Sequence, residues 1–222
     1  KAKWLPRIAT GEAIGAFATS ERAGPVTQAS LHTVATGGTL SGEKIPVTDG
    51  DVADLIVVLA KDGLYLVEKG AGVSAEVLRT LDPTRSAAKL VFDSAPAERL
   101  GGDDGIVAMQ AVFDRAAVLL AFEQLGGADR CLEMAKDYAL ERFAFGRAIA
   151  GYQAIKHKLA DIYVKNEIAR SNAYYGAWAL NTAAAELPLA AATARVAASE
   201  AFWFASKENI QTHGGIGFTW EA

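Results

Sequence analysis

The chain has 222 residues, 51% apolar and 22% charged, a globular composition with material for one large domain or two ordinary ones. Its net charge of −4, with basic residues scattered, argues against nucleic acid as the main partner, because phosphate binding needs a concentrated basic face. The single cysteine, Cys131, excludes an intrachain disulfide and fits a reducing cytoplasm, and His32, His157 and His213 show no metal-ligand spacing.

From Gly11 to about Leu100 the pattern is that of strands. ASLHTVATGG and LSGEKIPVTDG are two strand-like pieces punctuated by glycine. DLIVVLA (Asp54 to Ala60) and GLYLVEK (Gly63 to Lys69) flank the turn KDG and predict a hairpin. AKLVFDS (Ala88 to Ser94) is a further strand after the breaker LDPTR; Arg79 and Lys89 suit turn and edge-strand positions. Several short strands at this spacing predict a small antiparallel sandwich or barrel.

After ERLGGDDG the period changes. A helical pattern runs from about Asp104 to Phe143 and contains the pair Gly126–Gly127. A second runs from about Tyr152 to Thr182, with Ile155, Leu159, Ile162, Ala169 and Ala173 close to one face. A third covers ELPLAAATARVAASEAFWFASKENIQTH, with Pro188 at its start, where a missing N–H costs nothing. Helices of roughly 25–40 residues are bundle helices. The expected domains are a β domain over 1–101 and a helical bundle over 102–222, incomplete at its C-terminus. The chain opens on Lys1 rather than Met and stops at GFTWEA, so it reads as a piece of a longer protein. No run reaches the roughly 18–20 uninterrupted apolar residues of a membrane-spanning helix, and no signal peptide is visible.

The segment ERFAFGRAIAGYQAIKHKLADIYV (Glu141 to Val164) sets Arg142, Phe145 and Gln153 across the joint between the first two helices. A short polar loop suffices at such a joint. By spacing alone this is either a capping arginine beside a core phenylalanine or a ligand site. Likewise QTHGGIG is either a glycine C-cap or backbone that a ligand approaches closely.

The order of the two halves, with ALERFAFGRAIAGYQAIKHKLAD (Ala139 to Asp161) and ENIQTHGGIGFTWE (Glu208 to Glu221), resembles the acyl-CoA dehydrogenase family of flavoproteins. LPRIATGEAIGAFATSE (Leu5 to Glu21) and GEKIPVTDGDVADLIVVLA (Gly42 to Ala60) match as well. The resemblance covers the family's middle β domain and most of its C-terminal four-helix bundle; the family's N-terminal helical domain is missing. It implies an α+β fold, FAD as cofactor and an acyl-CoA thioester as substrate. It further implies electron-transfer flavoprotein or a similar acceptor, and a homo- or hetero-oligomer, dimer or tetramer, without membrane insertion. Arg142, Phe145 and Gln153 then bind the ADP half of a neighbouring subunit's FAD, with Gln211, Gly214 and Gly215 as the second segment. A guanidinium suits a pyrophosphate, and an aromatic ring packs on the cofactor's apolar surface. In the β half, Phe17 and Ser20 fall in the family's ring-contacting segment. Thr48 keeps the hydroxyl of a Trp-x-Ser/Thr motif whose tryptophan is Pro46 here.

The family reaction is α,β-dehydrogenation, in which a carboxylate takes the α proton while the β hydride moves to the flavin. By the resemblance, the usual glutamate lies past Ala222, and the position used by a minority of members is Ala116. Asp114 matches a contact to the pantetheine of CoA, although the arginine expected three residues on is Ala117. Glu123, seven residues past Ala116 and ~10 Å along the helix, remains as a candidate base; the other reading is a hydrogen-bonded or solvent-facing glutamate. His213 reads as structural or solvent-facing, and Trp4 as packing. Two other functions stand beside dehydrogenation. One is a non-catalytic partner subunit that donates Arg142, Phe145 and Gln153 to a neighbour; the other is a relative using FAD for another oxidation, such as an oxidase.

Overall fold

Strands concentrate in the first of two units, Lys1–Ala111, and long helices in the second, Val112–Ala222. The computed structural model describes residues 2–102 and 104–220; Glu221, the last residue of the second family-like segment, lies outside them.

In the first unit a short helix, α1 (Leu5–Ala9), precedes seven strands: β1 (Gly15–Ala18), β2 (Val34–Thr36), β3 (Thr39–Thr48), β4 (Leu55–Ala60), β5 (Gly63–Glu68), β6 (Val73–Val77) and β7 (Ala87–Leu100). The sheet order is β1-β4-β5-β7-β3-β2, with β6 also paired to β7. Every pairing is antiparallel except that of β1 with β4, which is parallel. The predicted hairpin is β4–β5, closed by Ala60 opposite Gly63. AKLVFDS is the first half of a 14-residue strand. Its early residues pair with β3 and β6, and residues 97–100 pair with β5, so β7 passes from one half of the sheet to the other. The buried side chains of both halves meet in one core that includes Leu40, Val47, Ile56, Val58, Val67, Leu90 and Phe92.

A polar contact inside this unit has no counterpart in the hydrophobic pattern. Lys44, on β3, is fully buried, and its Nζ donates to Glu21 Oε1 at 2.8 Å and to the Thr19 carbonyl at 3.1 Å. Glu21 also accepts the backbone N–H groups of His32 at 2.6 Å and Thr33 at 3.0 Å. One carboxylate therefore ties the loop after β1, the approach to β2 and the middle of β3. Burial pushes the Glu21 carboxyl up, but the hydrogen bonds from Lys44, Thr33 and His32 outweigh it and hold the group at about 2 rather than 4.5.

In the second unit α2 (Gly105–Glu141, its first turns lying in the first unit), α3 (Gln153–Asn181) and α4 (Leu187–His213) are the predicted long helices. Pro188 occupies the first turn of α4, as expected. The seam between them is made of small residues: Ala121 and Leu125 of α2, Ala169 and Ala173 of α3, and Ala194, Ala198 and Ala201 of α4. Ile162, Ala169 and Ala173 of the predicted α3 face are buried, and Ile155 and Leu159 are half-buried. Gly127 has a packing reason, because a Cβ there would sit 2.7 Å from the Phe202 ring; at Gly126 nothing lies within 4 Å. Asn166 is a buried polar residue that the pattern did not mark; its amide donates to Asp129 at 2.9 Å, and Asp129 also accepts from Arg170 at 2.8 Å. An 18-residue window of α2 has a mean hydropathy of 1.6, long and apolar enough by composition to cross a membrane, although Asp114 and Arg115 interrupt the apolar run. Here it is a bundle helix that buries Val118, Ala121, Leu125 and Ala128.

The Glu21 contact gives a pH signature. A carboxyl depressed from 4.5 to about 2 contributes about 3 kcal/mol, present in full above the unfolded value and lost as pH falls through the folded one. Glu21→Gln is expected to lower stability at neutral pH and to remove most of the parent's loss between about pH 5 and pH 2, read from urea midpoints across that range.

Candidate functional site

The joint between α2 and α3 is a miniature hairpin. Phe143–Ala144 (β8) pairs with Arg147–Ala148 (β9), leaving Phe145 and Gly146 as the two turn residues. Both have positive φ, 51° and 81°, the geometry of a tight two-residue turn matched to strand twist. Glycine adopts it freely, whereas phenylalanine is held there at a cost of about 1–2 kcal/mol. The ring gains no packing in return, being 97% exposed. Of the two readings of the joint, the core phenylalanine is therefore excluded for this chain.

Arg142 follows α2 directly. Its N–H donates to the Tyr138 carbonyl at 2.8 Å, and its carbonyl accepts from Ile149 at 2.8 Å, which closes the base of the hairpin. Its side chain is exposed, as is that of Gln153, the first residue of α3. The N-terminal end of α3 carries partial positive charge and points its first amides outward, which suits an anion.

The second predicted segment lies beside this joint. The Tyr138 ring, one turn before Arg142, stacks on His213 with centroids 4.3 Å apart and planes 27° apart. His213 Nδ1 is 2.9 Å from the Asn209 carbonyl, where it acts as a donor. His213 is thus structural, and it draws the end of α4 to the end of α2. Gly214 caps α4 with φ 65°, its N–H donating to the Ile210 and Gln211 carbonyls. The C-cap reading of this glycine holds, and Gln211, Gly214 and Gly215 remain exposed around it. Gly215 has an ordinary φ of −59° and open space where a Cβ would stand, so nothing among the described residues accounts for a glycine there. Gly217 is the opposite case: a Cβ would come within 2.8 Å of both His213 Cβ and the Ile210 carbonyl.

In the first unit, the Ile45 N–H donates to the Ser20 carbonyl at 2.8 Å, which sets Ser20 against β3 at the residue before Pro46. Pro46 and Thr48 are exposed and Ser20 is half-buried. Phe17 is also half-buried, and it packs against a cluster of Leu31, Leu59 and Met109. Asp114 and Ala116 are half-buried on α2, whereas Glu123 is exposed. Among the described residues no three His, Cys, Asp or Glu side chains converge as a metal set. Burial pushes the half-buried Cys131 thiol up, away from the reactive thiolate.

Tyr138 and the buried Lys44 that pairs with Glu21 were not visible as parts of a site. Their one signal was a lysine at an inward position of an alternating strand.

A mostly antiparallel sheet followed by long bundle helices, with an exposed joint suited to an anion, defines an acyl-CoA dehydrogenase type of architecture. Residues 103–222 match the family described as acyl-CoA dehydrogenase, C-terminal domain, and the chain belongs to the acyl-CoA dehydrogenase family. The acyl-CoA dehydrogenase IpdE2 of Mycobacterium tuberculosis is 43% identical over 175 residues, 79% of this chain and 50% of that protein. Butyryl-CoA dehydrogenase from Megasphaera elsdenii has a TM-score of 0.91 at 26% identity, over 99% of this chain and 63% of that one. A glutaryl-CoA dehydrogenase from Mycobacterium smegmatis in complex with FADH2 has a TM-score of 0.89 at 27% identity, over 100% of this chain and 61% of that one. The chain thus spans about half the length of IpdE2 and under two thirds of these structures.

The two glycines give a paired test. Gly217→Ala is expected to destabilise by roughly 1–3 kcal/mol, as overpacking does, whereas Gly215→Ala leaves the melting temperature unchanged. Thermal denaturation of both variants beside the parent checks this.

Proposed function

We propose that the chain forms the middle β unit and most of the helical bundle of an FAD-dependent enzyme that removes the α and β hydrogens of an acyl-CoA thioester. The observation that carries this reading is Phe145, a strained, solvent-facing aromatic flanked by Arg142 and Gln153, in a chain of this family. Bound FAD supplies the hydride acceptor. Arg142 donates to the diphosphate, and Phe145 covers the apolar surface of the nucleotide. The amides of Gln153 and Gln211 orient it, and Gly214 and Gly215 let backbone come close. The glycine at 215, with open space at its Cβ position, fits such a cradle. In the first unit the hydroxyls of Ser20 and Thr48 and the Phe17 edge serve the flavin ring. Pro46 offers that ring less packing surface than an indole. Asp114 would contact the pantetheine of the substrate, and electron-transfer flavoprotein or a similar acceptor would be the redox partner. The carboxylate base is the family's glutamate or, within this chain, Glu123, which is exposed on α2.

The nucleotide-binding residues serve a neighbouring subunit, so the active form is an oligomer. The bundle's outward apolar side chains support this: Tyr174, Trp178, Leu189, Val196 and Trp203 are each at least half exposed.

Specific replacements favour a second reading, a partner subunit that lends its joint to a catalytic neighbour without holding flavin: Pro46, Ala116 and Ala117 stand at three positions the family uses. Absorbance of the protein purified alone separates the two. Flavin retained in proportion to protein supports the enzyme; its absence supports the partner subunit. In the flavin-loaded protein, Arg142→Ala is expected to weaken FAD binding roughly ten- to hundredfold without unfolding the chain, the worth of one charge-assisted phosphate contact. Unchanged affinity removes Arg142 from the site. Sedimentation at micromolar concentration is expected to show an oligomer, and a flavin-loaded monomer overturns the shared site.

A further inference from the structure

The Phe145 hairpin is held by two side chains that none of the preceding roles uses. Tyr152, the residue just before α3, donates its hydroxyl to the Ala144 carbonyl at 2.9 Å. Ala144 is directly opposite Arg147 in the two-strand ladder. The Arg147 guanidinium lies over the Tyr152 ring, its Cζ 4.0 Å from the ring centroid. Its aliphatic stem crosses Gly151, where a Cβ would meet Arg147 Cδ at 3.5 Å. The hydroxyl holds one strand of the hairpin and the guanidinium reaches back from the other, so a single ring is gripped from both sides. The same ring belongs to the residue before Gln153, so it joins the hairpin tip to the start of α3.

A two-strand ladder of two residues each is marginal in water by itself. Its turn is further burdened by a phenylalanine in the left-handed region. Without an external tie, such a hairpin opens and the exposed ring samples many orientations. We infer that Tyr152, oriented by Arg147, is a positioning residue that holds Phe145 pre-set relative to Gln153, and that this pre-setting strengthens cofactor binding. The inference rests on the assignment of the joint to FAD given above. Its physical content is pre-organisation: a hairpin already closed, with the Phe145 backbone set, loses less freedom when the nucleotide packs on the ring.

Tyr152→Phe keeps the ring and removes only the hydroxyl, so the fold is retained. Loss of one neutral hydrogen bond is expected to weaken FAD binding by roughly three- to tenfold. Arg147→Met is expected to act in the same direction by roughly two- to fivefold, the worth of an exposed cation–π contact. The deciding measurement is FAD affinity of Tyr152→Phe in the parent and again in a Phe145→Ala background. A positioning role predicts a loss in the parent that disappears once Phe145 is gone, with the melting temperature unchanged. Equal losses in both backgrounds, or no loss in either, overturn it. Amide hydrogen exchange over residues 144–148 reads the clamp without cofactor, and faster exchange in Tyr152→Phe is expected. A parent that binds no FAD overturns the functional reading instead; exchange then judges the clamp alone, and unchanged exchange overturns it.

Discussion

The close approach of the bundle helices through alanine is the constraint on which the helical unit depends. Ala169 and Ala173 of α3 meet Ala194, Ala198 and Ala201 of α4, and Ala121 of α2 faces the same seam. Small side chains fix the helices at short range, because any longer residue at these positions would overpack. Once the helices are fixed along their length, so are their ends. The Tyr138–His213 stack, with centroids 4.3 Å apart, exists because α2 and α4 finish side by side. That stack brings Arg142 and Gly214, which are 72 residues apart in sequence, to one end of the unit.

An alanine seam has a second consequence. With the inside taken by small residues, the large apolar ones lie outside: Trp203 is 66% exposed and Leu189 67%. This reverses the usual arrangement, in which bulky apolar residues make the core. Surfaces of that kind are normal for a unit that packs against more protein, and unfavourable for one that stands alone in water.

The β unit meets a different demand with a polar device. Loops after β1 and before β2 have few apolar side chains with which to anchor themselves. The buried Glu21 carboxylate instead gathers Lys44, His32 N–H and Thr33 N–H into one knot. Burying a charge is costly unless it is paired and hydrogen-bonded, and here it is both. The knot seats the loop carrying Ser20 on β3, where the Ile45 N–H donates to the Ser20 carbonyl.

Sequence alone determined the division into strand-rich and helical halves, the β4–β5 hairpin, the three long helices and Pro188 at the start of α4. These follow from local rules of period and turn chemistry, which each segment carries within itself. The residues Arg142, Phe145, Gln153 and Gln211 were marked only by the resemblance to the family, since spacing alone left a structural reading open. Only the tertiary structure decided how Phe145 is held. Its positive φ and full exposure depend on the hairpin that Tyr152 closes from across the joint. The buried Lys44 and Asn166 were likewise hidden, since a polar residue in an amphipathic pattern reads as surface until its partner is known. The Glu21 that satisfies Lys44 lies 23 residues away, and the Asp129 that satisfies Asn166 lies 37 away. Partners at such separations are set by packing, and no local pattern encodes them.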